Sequence, residues 1–315
     1  MKWSLSAHRT FRRCQRQYYF GNIAANHRAR DKIRKEAYLL RQMKQLSAWK
    51  GSIIHEGINK FVIPYLKEGR SIDWSVALSN TLDLASKQYH FSKAHKFRQP
   101  GITKSAYNGE YCILAEHERN QEIPEDILEN IYEEIRTCFN NLSFQRELIS
   151  FFEGHKSYYA EHFLSHSFDG VQIKAVPDLI FTRSHGSTSV VDWKIEQDYS
   201  HGDHRLQVAL YAWVLLNKWD ISNPDKIELY EAQLLEGNII RHDFVPSMLE
   251  ELEDFIFQSI TEIRSLCGDH KYESQNLDDF QFAKSANTCA YCSFLRLCRE
   301  VKKWEREPRH LIFLK

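Results

Sequence analysis

The sequence predicts an α/β fold in which a core of helix, three-strand meander, helix and strand carries a large helical insertion. Three observations predict it. Residues 75–158 are glycine-poor and charged, and their apolar residues recur with a helical period. Residues 159–195 change to strand patterns separated by short turns. A helical stretch at 203–218 then separates these strands from further ones, and helices alternating with strands are typical of an α/β layer architecture.

Composition limits the class of protein. The chain has 315 residues, of which 43% are hydrophobic, so it can bury a full core and is expected to form one large domain. It has no run approaching the roughly 20 apolar residues that span a bilayer, and its opening lacks the apolar block of a secretory signal, which predicts a cytoplasmic protein.

The net charge of the chain does not indicate a nucleic-acid-binding protein, because Lys plus Arg equals Asp plus Glu at 42 each. A cleft can still be locally basic. Arg9, Arg12, Arg13 and Arg16 have helical spacing and precede Tyr18, so they could face a nucleic-acid strand. A solvated helix face beside core aromatic residues is the alternative interpretation.

The first half of the chain is predicted to be helical. Residues 4–20 have a helical pattern, and residues 50–66 carry one apolar stripe, with His55 at its edge. Residues 67–158 are interpreted as the helical insertion, with breaks near Pro100 and Pro124.

The meander follows the insertion. It is predicted as strands at 159–168, 171–182 and 189–195, with Asp169-Gly170 as the first turn and residues 184–187 as the second. After the helix at 203–218, strands are predicted at 226–235 and 239–244, and a helix at 247–266 leads to a cluster of cysteines.

The meander predicts which side chains meet. If the second turn is centred on Gly186, Asp178 lies opposite Lys194, and Ile180 lies opposite Asp192. Asp178, Asp192 and Lys194 then share one sheet face, because side chains alternate along a strand. The two aspartates would be diagonal neighbours, roughly 7–8 Å apart at the backbone.

Two carboxylates and a lysine suit the hydrolysis of a phosphodiester. Carboxylate oxygens bind hard cations such as Mg²⁺ or Mn²⁺, which neutralise phosphate charge and help to form hydroxide. A neighbouring lysine can orient water or stabilise developing negative charge. An Asp-x-Lys sequence on a strand is also common as a surface ion pair, so the motif alone decides little.

The cysteines form a second candidate centre. Cys14 lies near the start of the chain, and Cys289, Cys292 and Cys298 lie near its end. They can share a metal centre only if the fold brings both ends together. The odd total of seven does not suggest a disulfide framework, and Cys112, Cys138 and Cys267 are expected to be ordinary buried thiols. An all-thiolate zinc site is an alternative to an iron-sulfur cluster.

Several segments resemble one family. Pro177-Asp178 followed by Asp192-Trp193-Lys194 resembles the PD-(D/E)XK nuclease superfamily, whose restriction-endonuclease-like core is similar to the predicted order of elements. Gly51 to His55 and Gln207 to Tyr211 resemble two motifs of its RecB-like members. The split cysteine set resembles the iron-sulfur branch, which includes the CRISPR-associated RecB-like exonucleases and AddB-type nuclease domains.

The resemblance implies roles for particular residues. His55, Asp178 and Asp192 would bind Mg²⁺ or Mn²⁺, with the Trp193 carbonyl as a further candidate, and Lys194 would be the catalytic lysine. Gln207 and Tyr211 would bind or position the nucleic-acid strand. A [4Fe-4S] cluster would be held by Cys14, Cys289, Cys292 and Cys298. The sequence departs from the usual pattern in having Asp192 where Glu is more frequent, and in the long span from His55 to Asp178.

The expected protein is therefore a metal-dependent DNA nuclease, an exonuclease on single-stranded DNA or DNA ends. It would form one nuclease domain over 1–315, divided into N-terminal helices at 1–66, the insertion at 67–158, the core at 159–267 and an iron-sulfur segment at 268–315. The expected setting is DNA repair, recombination or phage defence, including CRISPR adaptation. With no phosphate-binding-loop motif in the sequence, unwinding would come from a helicase or a defence-complex subunit. A catalytically silent nucleic-acid-binding subunit and a zinc-stapled structural protein are the alternatives.

Overall fold

The computed structural model describes residues 1–150, 155–183, 186–195, 201–219, 221, 223–245, 247–268 and 270–306. The strands are β1 (Lys2–Trp3), β2 (Met43–Lys44), β3 (Ile113–Leu114), β4 (His155–Ala160), β5 (Leu164–Phe168), β6 (Val171–Ala175), β7 (Leu179–Arg183), β8 (Thr188–Lys194), β9 (Ile227–Gln233) and β10 (Asn238–His242). The helices are α1 (Leu5–Arg13), α2 (Gln15–Tyr18), α3 (Lys32–Leu40), α4 (Leu46–Phe61), α5 (Ile63–Lys67), α6 (Trp74–Lys93), α7 (Ala115–Glu118), α8 (Glu125–Phe144), α9 (Arg146–Ile149), α10 (His201–Trp219), α11 (Ser247–Cys267), α12 (Ala286–Ala290) and α13 (Leu295–Arg306).

The chain divides into two compact units. One unit, called here the terminal unit, contains Met1–Gln45 and Ile256–Lys315; the other, called the central unit, contains Leu46–Phe255. The terminal unit thus combines an N-terminal segment with a segment from the last fifth of the sequence. The domain boundaries derived from the sequence stay predictions, and residues 307–315 of the last segment lie outside the described residues. Throughout the described part of the chain, each helix is too short or too polar to cross a bilayer.

The terminal unit begins with a broken helix. The sequence predicts one helix over 4–20, but Cys14 has extended backbone angles and separates α1 from α2. The Cys14 sulfur caps α2 by accepting a hydrogen bond from the Gln17 N–H at 3.4 Å. A π-helical segment, Tyr19–Ala24, follows α2, and the buried Phe20 ring stacks on Phe294 at 5.7 Å between centroids.

A five-stranded sheet forms the centre of the central unit, with strand order β10-β9-β8-β7-β4. Neighbouring strands are antiparallel except β8 and β9, which run parallel. A parallel pair needs a crossover connection, and α10 provides it, packing against both strands. The protein is therefore a mixed α/β protein, as the sequence predicts.

The meander is more broken than predicted. The strands expected at 159–168 and 171–182 each divide in two, so β4 and β7 pair within the five-stranded sheet, while β5 and β6 form a separate hairpin. Pro177, which lacks a backbone N–H, lies in one break. Glu161, with φ at 45°, lies in the other. Both breaks adjoin Asp178.

The predicted register of β7 and β8 was wrong by two residues. Leu179 pairs with Val191, and Ile180 pairs with Val190, so Asp178 comes into line with Asp192 and not with Lys194. The reason is the position of the turn: the Arg183 N–H donates to the Ser187 carbonyl at 2.9 Å, which places the centre of the turn one residue before Gly186. Two residues of the predicted turn, Ser184 and His185, lie outside the described residues. A shift of two keeps every side chain on its predicted face.

The helix predicted at 50–66 forms as α4 and α5, and α4 packs tightly in the core of the central unit. Its residues Trp49, Ile53 and Ile54 are fully buried among α6, α8 and the sheet. Gly57 permits a close approach, because a Cβ there would lie 2.7 Å from Thr81 Cγ2. The predicted insertion is largely helical, comprising α6 to α9.

Candidate active site and cysteine cluster

Asp178 is held at the end of the sheet by two contacts in the central unit. Its Oδ2 accepts a hydrogen bond from the backbone N–H of Trp193 at 2.8 Å. Its Oδ1 lies 3.2 Å from Nδ1 of His55, which projects from α4. The fold thus brings together two residues that are 123 positions apart in the sequence.

Asp192 lies on β8 with only 3% of its surface exposed, and both of its carboxylate oxygens are engaged. Oδ2 lies 2.5 Å from Lys194 Nζ. Oδ1 accepts from Gln207 Nε2 at 2.9 Å and from the Tyr211 hydroxyl at 3.2 Å. Gln207 and Tyr211 are one turn apart on α10, so one helix face holds the carboxylate. The nucleic-acid contact predicted for these two residues stays a prediction.

The electrostatics of this site reflect excess negative charge. Burial and, to a lesser extent, the field of Asp178 raise the pKa of Asp192 to about 6, against the opposing effect of Lys194. Burial lowers the pKa of His55, but the fields of Asp178 and Asp192 outweigh this and leave it raised overall. Burial and the field of Asp192 raise the pKa of Tyr211 well above its ordinary value. A site with these properties favours an added cation.

In the described residues, no group of three or more His, Cys, Asp or Glu side chains is already arranged around a metal position. The donor set itself, two carboxylates and an imidazole, matches the oxygen and nitrogen ligands of Mg²⁺ and Mn²⁺ sites.

Glu161 is a residue of this site that the sequence did not reveal. Its backbone N–H donates to the carbonyl of Asp178 at 3.0 Å, and its carboxylate contributes to raising the pKa of His55. With Asn59 and Lys67 it lines a cavity of about 310 Å³. Its left-handed backbone explains the omission, since no residue preference indicates that a glutamate will adopt positive φ.

The second candidate centre lies in the terminal unit. Cys14, Cys289, Cys292 and Cys298 are all free thiols. Burial and, to a lesser extent, the fields of Cys14, Cys298 and Cys289 raise the pKa of Cys292 to about 11, so the four thiols lie close enough to interact electrostatically. The other three cysteines, Cys112, Cys138 and Cys267, are buried thiols, as predicted.

Arg16 is buried and lies beside Cys298, which corrects its prediction as part of a basic helix face. It is 8% exposed, and it donates to the Phe280 carbonyl at 3.0 Å and to Asp278 at 3.2 Å. Burial raises the pKa of Cys298, whereas the charge and hydrogen bond of Arg16 lower it. The break at Cys14 separates Arg16 from the arginines of α1, of which Arg12 pairs with Glu262 at 2.6 Å.

Two solved structures have a distant likeness to this chain. No curated protein matches this sequence closely enough to be informative. The crystal structure of SSO0001 matches at 15% identity and a TM-score of 0.28, over 58% of this chain and 77% of that one. A candidate exonuclease from Eubacterium rectale matches at 9% identity and a TM-score of 0.33, over 75% of this chain and 84% of that one.

The family model carries the assignment. The protein is a nuclease by class, because the family model of the PD-(D/E)XK nuclease superfamily matches residues 2–299. The chain belongs to the PD-(D/E)XK nuclease superfamily, which confirms the family resemblance seen in the sequence. Nucleases of this superfamily typically use divalent metal ions such as Mg²⁺.

Proposed function

We propose that the protein is a metal-dependent deoxyribonuclease that degrades DNA from single-stranded ends. His55, Asp178 and Asp192 would hold Mg²⁺ or Mn²⁺, and Lys194 would be the catalytic lysine. The observation that carries the proposal is the convergence of Asp178, Asp192 and Lys194, with 2.5 Å between Lys194 Nζ and Asp192 Oδ2. Its cellular setting would be DNA repair, recombination or phage defence, with a helicase or defence-complex partner supplying any unwinding.

The chemistry assigned to the protein residues follows from their charges. A bound divalent cation would polarise the phosphate and lower the pKa of a coordinated water. Asp178 and Asp192 would neutralise the charge of that cation, and the Trp193 N–H fixes the orientation of Asp178. Lys194 lies within reach of both Asp192 and Gln207, so its ammonium can turn from this pair to a phosphate oxygen or an attacking water.

The test compares wild type with Lys194→Ala on end-labelled single-stranded and double-stranded DNA in Mn²⁺. We expect cleavage by wild type and a loss of at least about 100-fold in the variant, the scale of an electrostatic contributor to catalysis. Lys226→Ala is the matched control, because Lys226 is an exposed lysine on a turn. Equal cleavage by wild type and Lys194→Ala would contradict the assignment, and binding without cleavage would favour a silent nucleic-acid-binding subunit.

We also propose that Cys14, Cys289, Cys292 and Cys298 hold a [4Fe-4S] cluster. Four free thiols within interaction range supply the ligand number such clusters use. The Arg16 guanidinium beside Cys298 adds a positive charge next to what would be an anionic thiolate centre.

Anaerobic purification tests the cluster. A brown protein with equal iron and sulfide is expected from wild type, and Cys14→Ser should lose both. Cys112→Ser is the matched control, since Cys112 is a buried thiol in the central unit. A colourless protein that contains zinc would replace the iron-sulfur proposal with a zinc site.

A further inference from the structure

A second polar cluster lies in the central unit, centred on Glu231 of β9. Glu231 is 3% exposed, yet its carboxylate has three partners. Oε2 lies 3.0 Å from His204 Nδ1 and 3.3 Å from His242 Nε2, and Oε1 accepts from Gln233 Nε2 at 3.1 Å. A buried carboxylate with this many polar partners is built into the fold at the cost of desolvation.

The sheet places this cluster directly beside the candidate active site. In the parallel pairing of β8 and β9, Asp192 lies opposite Glu231, and Lys194 lies opposite Gln233. Opposed residues on neighbouring strands project to the same face of a sheet. The four side chains therefore form one polar patch on the face where α10 contacts Asp192.

Helix α10 contacts both halves of this patch with a single face. His204, Gln207 and Tyr211 are separated by three and four residues, which aligns them along one side of a helix. His204 reaches Glu231 on β9, while Gln207 and Tyr211 reach Asp192 on β8. The contact at Glu231 thus lies about one helical turn before the contacts at Asp192.

We propose that the His204–Glu231 pair is a positioning device for the active site. It sets the placement of α10 over the sheet, so that Gln207 and Tyr211 hold Asp192 in the orientation a metal ion needs. The proposal rests on the proposed function, because it assumes that Asp192 binds the metal. Outer-shell partners of this kind typically change metal affinity by about 10–100-fold when they are removed.

The charge state of Glu231 supports this role. Burial by itself raises its pKa, but hydrogen bonds from His242 and Gln233 and the fields of both imidazoles outweigh burial and lower the pKa to about 2. Glu231 is therefore an anion at neutral pH, and its attraction for His204 is an ion–dipole or ion–ion contact stronger than a neutral hydrogen bond.

A contact of α10 that lies away from Asp192 provides a control for a general loss of helix packing. Trp213 Nε1 donates to Glu253 Oε1 at 2.7 Å, and Trp213 lies about two and a half turns beyond His204. Loss of the Glu253 acceptor leaves a buried indole N–H unpaired and should lower stability. It leaves the patch around Asp192 unchanged.

The experiment measures Mn²⁺ affinity by calorimetry, kcat and KM on single-stranded DNA, and thermal stability. His204→Gln and Glu231→Gln are compared with wild type and with Glu253→Ala. We expect both patch variants to bind Mn²⁺ about 10–100-fold more weakly, with the loss in kcat and little change in KM for DNA. Glu253→Ala should lose stability at wild-type Mn²⁺ affinity.

The two patch variants keep the inference falsifiable if one of them fails to fold. Wild-type Mn²⁺ affinity in a folded patch variant would overturn it, as would an equal loss of affinity in Glu253→Ala at matched stability. Failure of the proposed function looks different: wild type itself would then show no Mn²⁺ binding and no cleavage dependent on Lys194.

Discussion

At the scale of single residues, the most informative group is the carboxylate of Asp192. It is buried, it accepts hydrogen bonds from Gln207 and Tyr211, and it pairs with Lys194. Each of these partners limits the rotation of the carboxylate, so the site is ordered before any cation arrives. Such preorganisation lowers the cost of binding and of reaction.

Tyr211→Phe tests this ordering. It removes the hydroxyl that donates to Asp192 and keeps the ring in the core. We expect a loss of about 1–2 kcal/mol in the free energy of unfolding, together with weaker Mn²⁺ binding. Tyr230→Phe is the control, because that hydroxyl donates to Glu228 at 3.3 Å. Unfolding in urea and Mn²⁺ titration measure both effects, and equal Mn²⁺ affinity in the two variants would contradict the role of Tyr211.

The sequence predicts the main members of this site but not their partners. The motif residues Asp178, Asp192 and Lys194 are recognisable because their spacing is local. Glu161 and Glu231 were missed, because their roles depend on a left-handed backbone and on a parallel strand pairing with a distant segment. Glu231 lies in a Glu-Ala-Gln sequence, in which polar and apolar residues alternate as in a half-exposed strand. The local sequence therefore does not indicate that Glu231 is buried.

At the scale of elements, the packing of α4 against α6 leads to a prediction about its two glycines. A Cβ at Gly57 would clash with Thr81 and would lie 3.0 Å from Phe139 Cζ, whereas a Cβ at Gly51 would meet only Ile195 at 3.8 Å. Gly57→Ala should therefore destabilise the protein by about 1–3 kcal/mol through overpacking. Gly51→Ala should be neutral or stabilise by up to about 1 kcal/mol, because alanine favours helix. Urea midpoints distinguish them, and a stabilised Gly57→Ala would refute the close approach.

The contact between β9 and α10 depends on pH in a definite direction. The pKa of Glu231 in the folded protein, about 2, lies below its ordinary value of 4.5. Its stabilising contribution is therefore complete above about pH 4.5 and disappears as the pH falls toward the folded value. The difference in unfolding free energy between wild type and Glu231→Gln should shrink from pH 6 to about pH 3. A difference that stays constant over this range would show that Glu231 is not held as an anion.

The sequence predicted the elements better than it predicted their boundaries and pairing. The helix at 247–266 and the strands near 226 and 239 form almost as expected, because their periodic patterns are long and bounded by turns. The β7–β8 register was wrong by two residues, since the number of residues that close a turn depends on its backbone angles. The break at Cys14 was missed because its sulfur replaces a conventional capping group.

At the scale of the whole molecule, residues 1–45 and the described residues from 256 to 306 fold into one compact unit. The four cysteines of the proposed cluster come from both segments of that unit, so a bound cluster would link residues far apart in sequence. Such a link constrains the unfolded chain and contributes folding free energy.

Loss of the cluster should therefore affect the two units unequally. After oxidative removal of iron, we expect amide hydrogen exchange to accelerate in residues 1–45 and 256–306, with protection retained across β7, β8 and β9. Hydrogen exchange read by mass spectrometry measures this, with Cys14→Ser as an independent way to prevent assembly. Uniform loss of protection over both units would contradict a stabilising effect of the cluster that is confined to the terminal unit.

The grip on Asp178 has a consequence for how this protein tolerates sequence change. The donor is the main-chain amide of position 193, and every amino acid except proline supplies one. The indole of Trp193 is buried in the core, so smaller side chains at this position should cost packing energy while leaving the amide donor in place. Among folded variants from a saturation library at codon 193, the orientation of the aspartate should persist, and proline should be the exception.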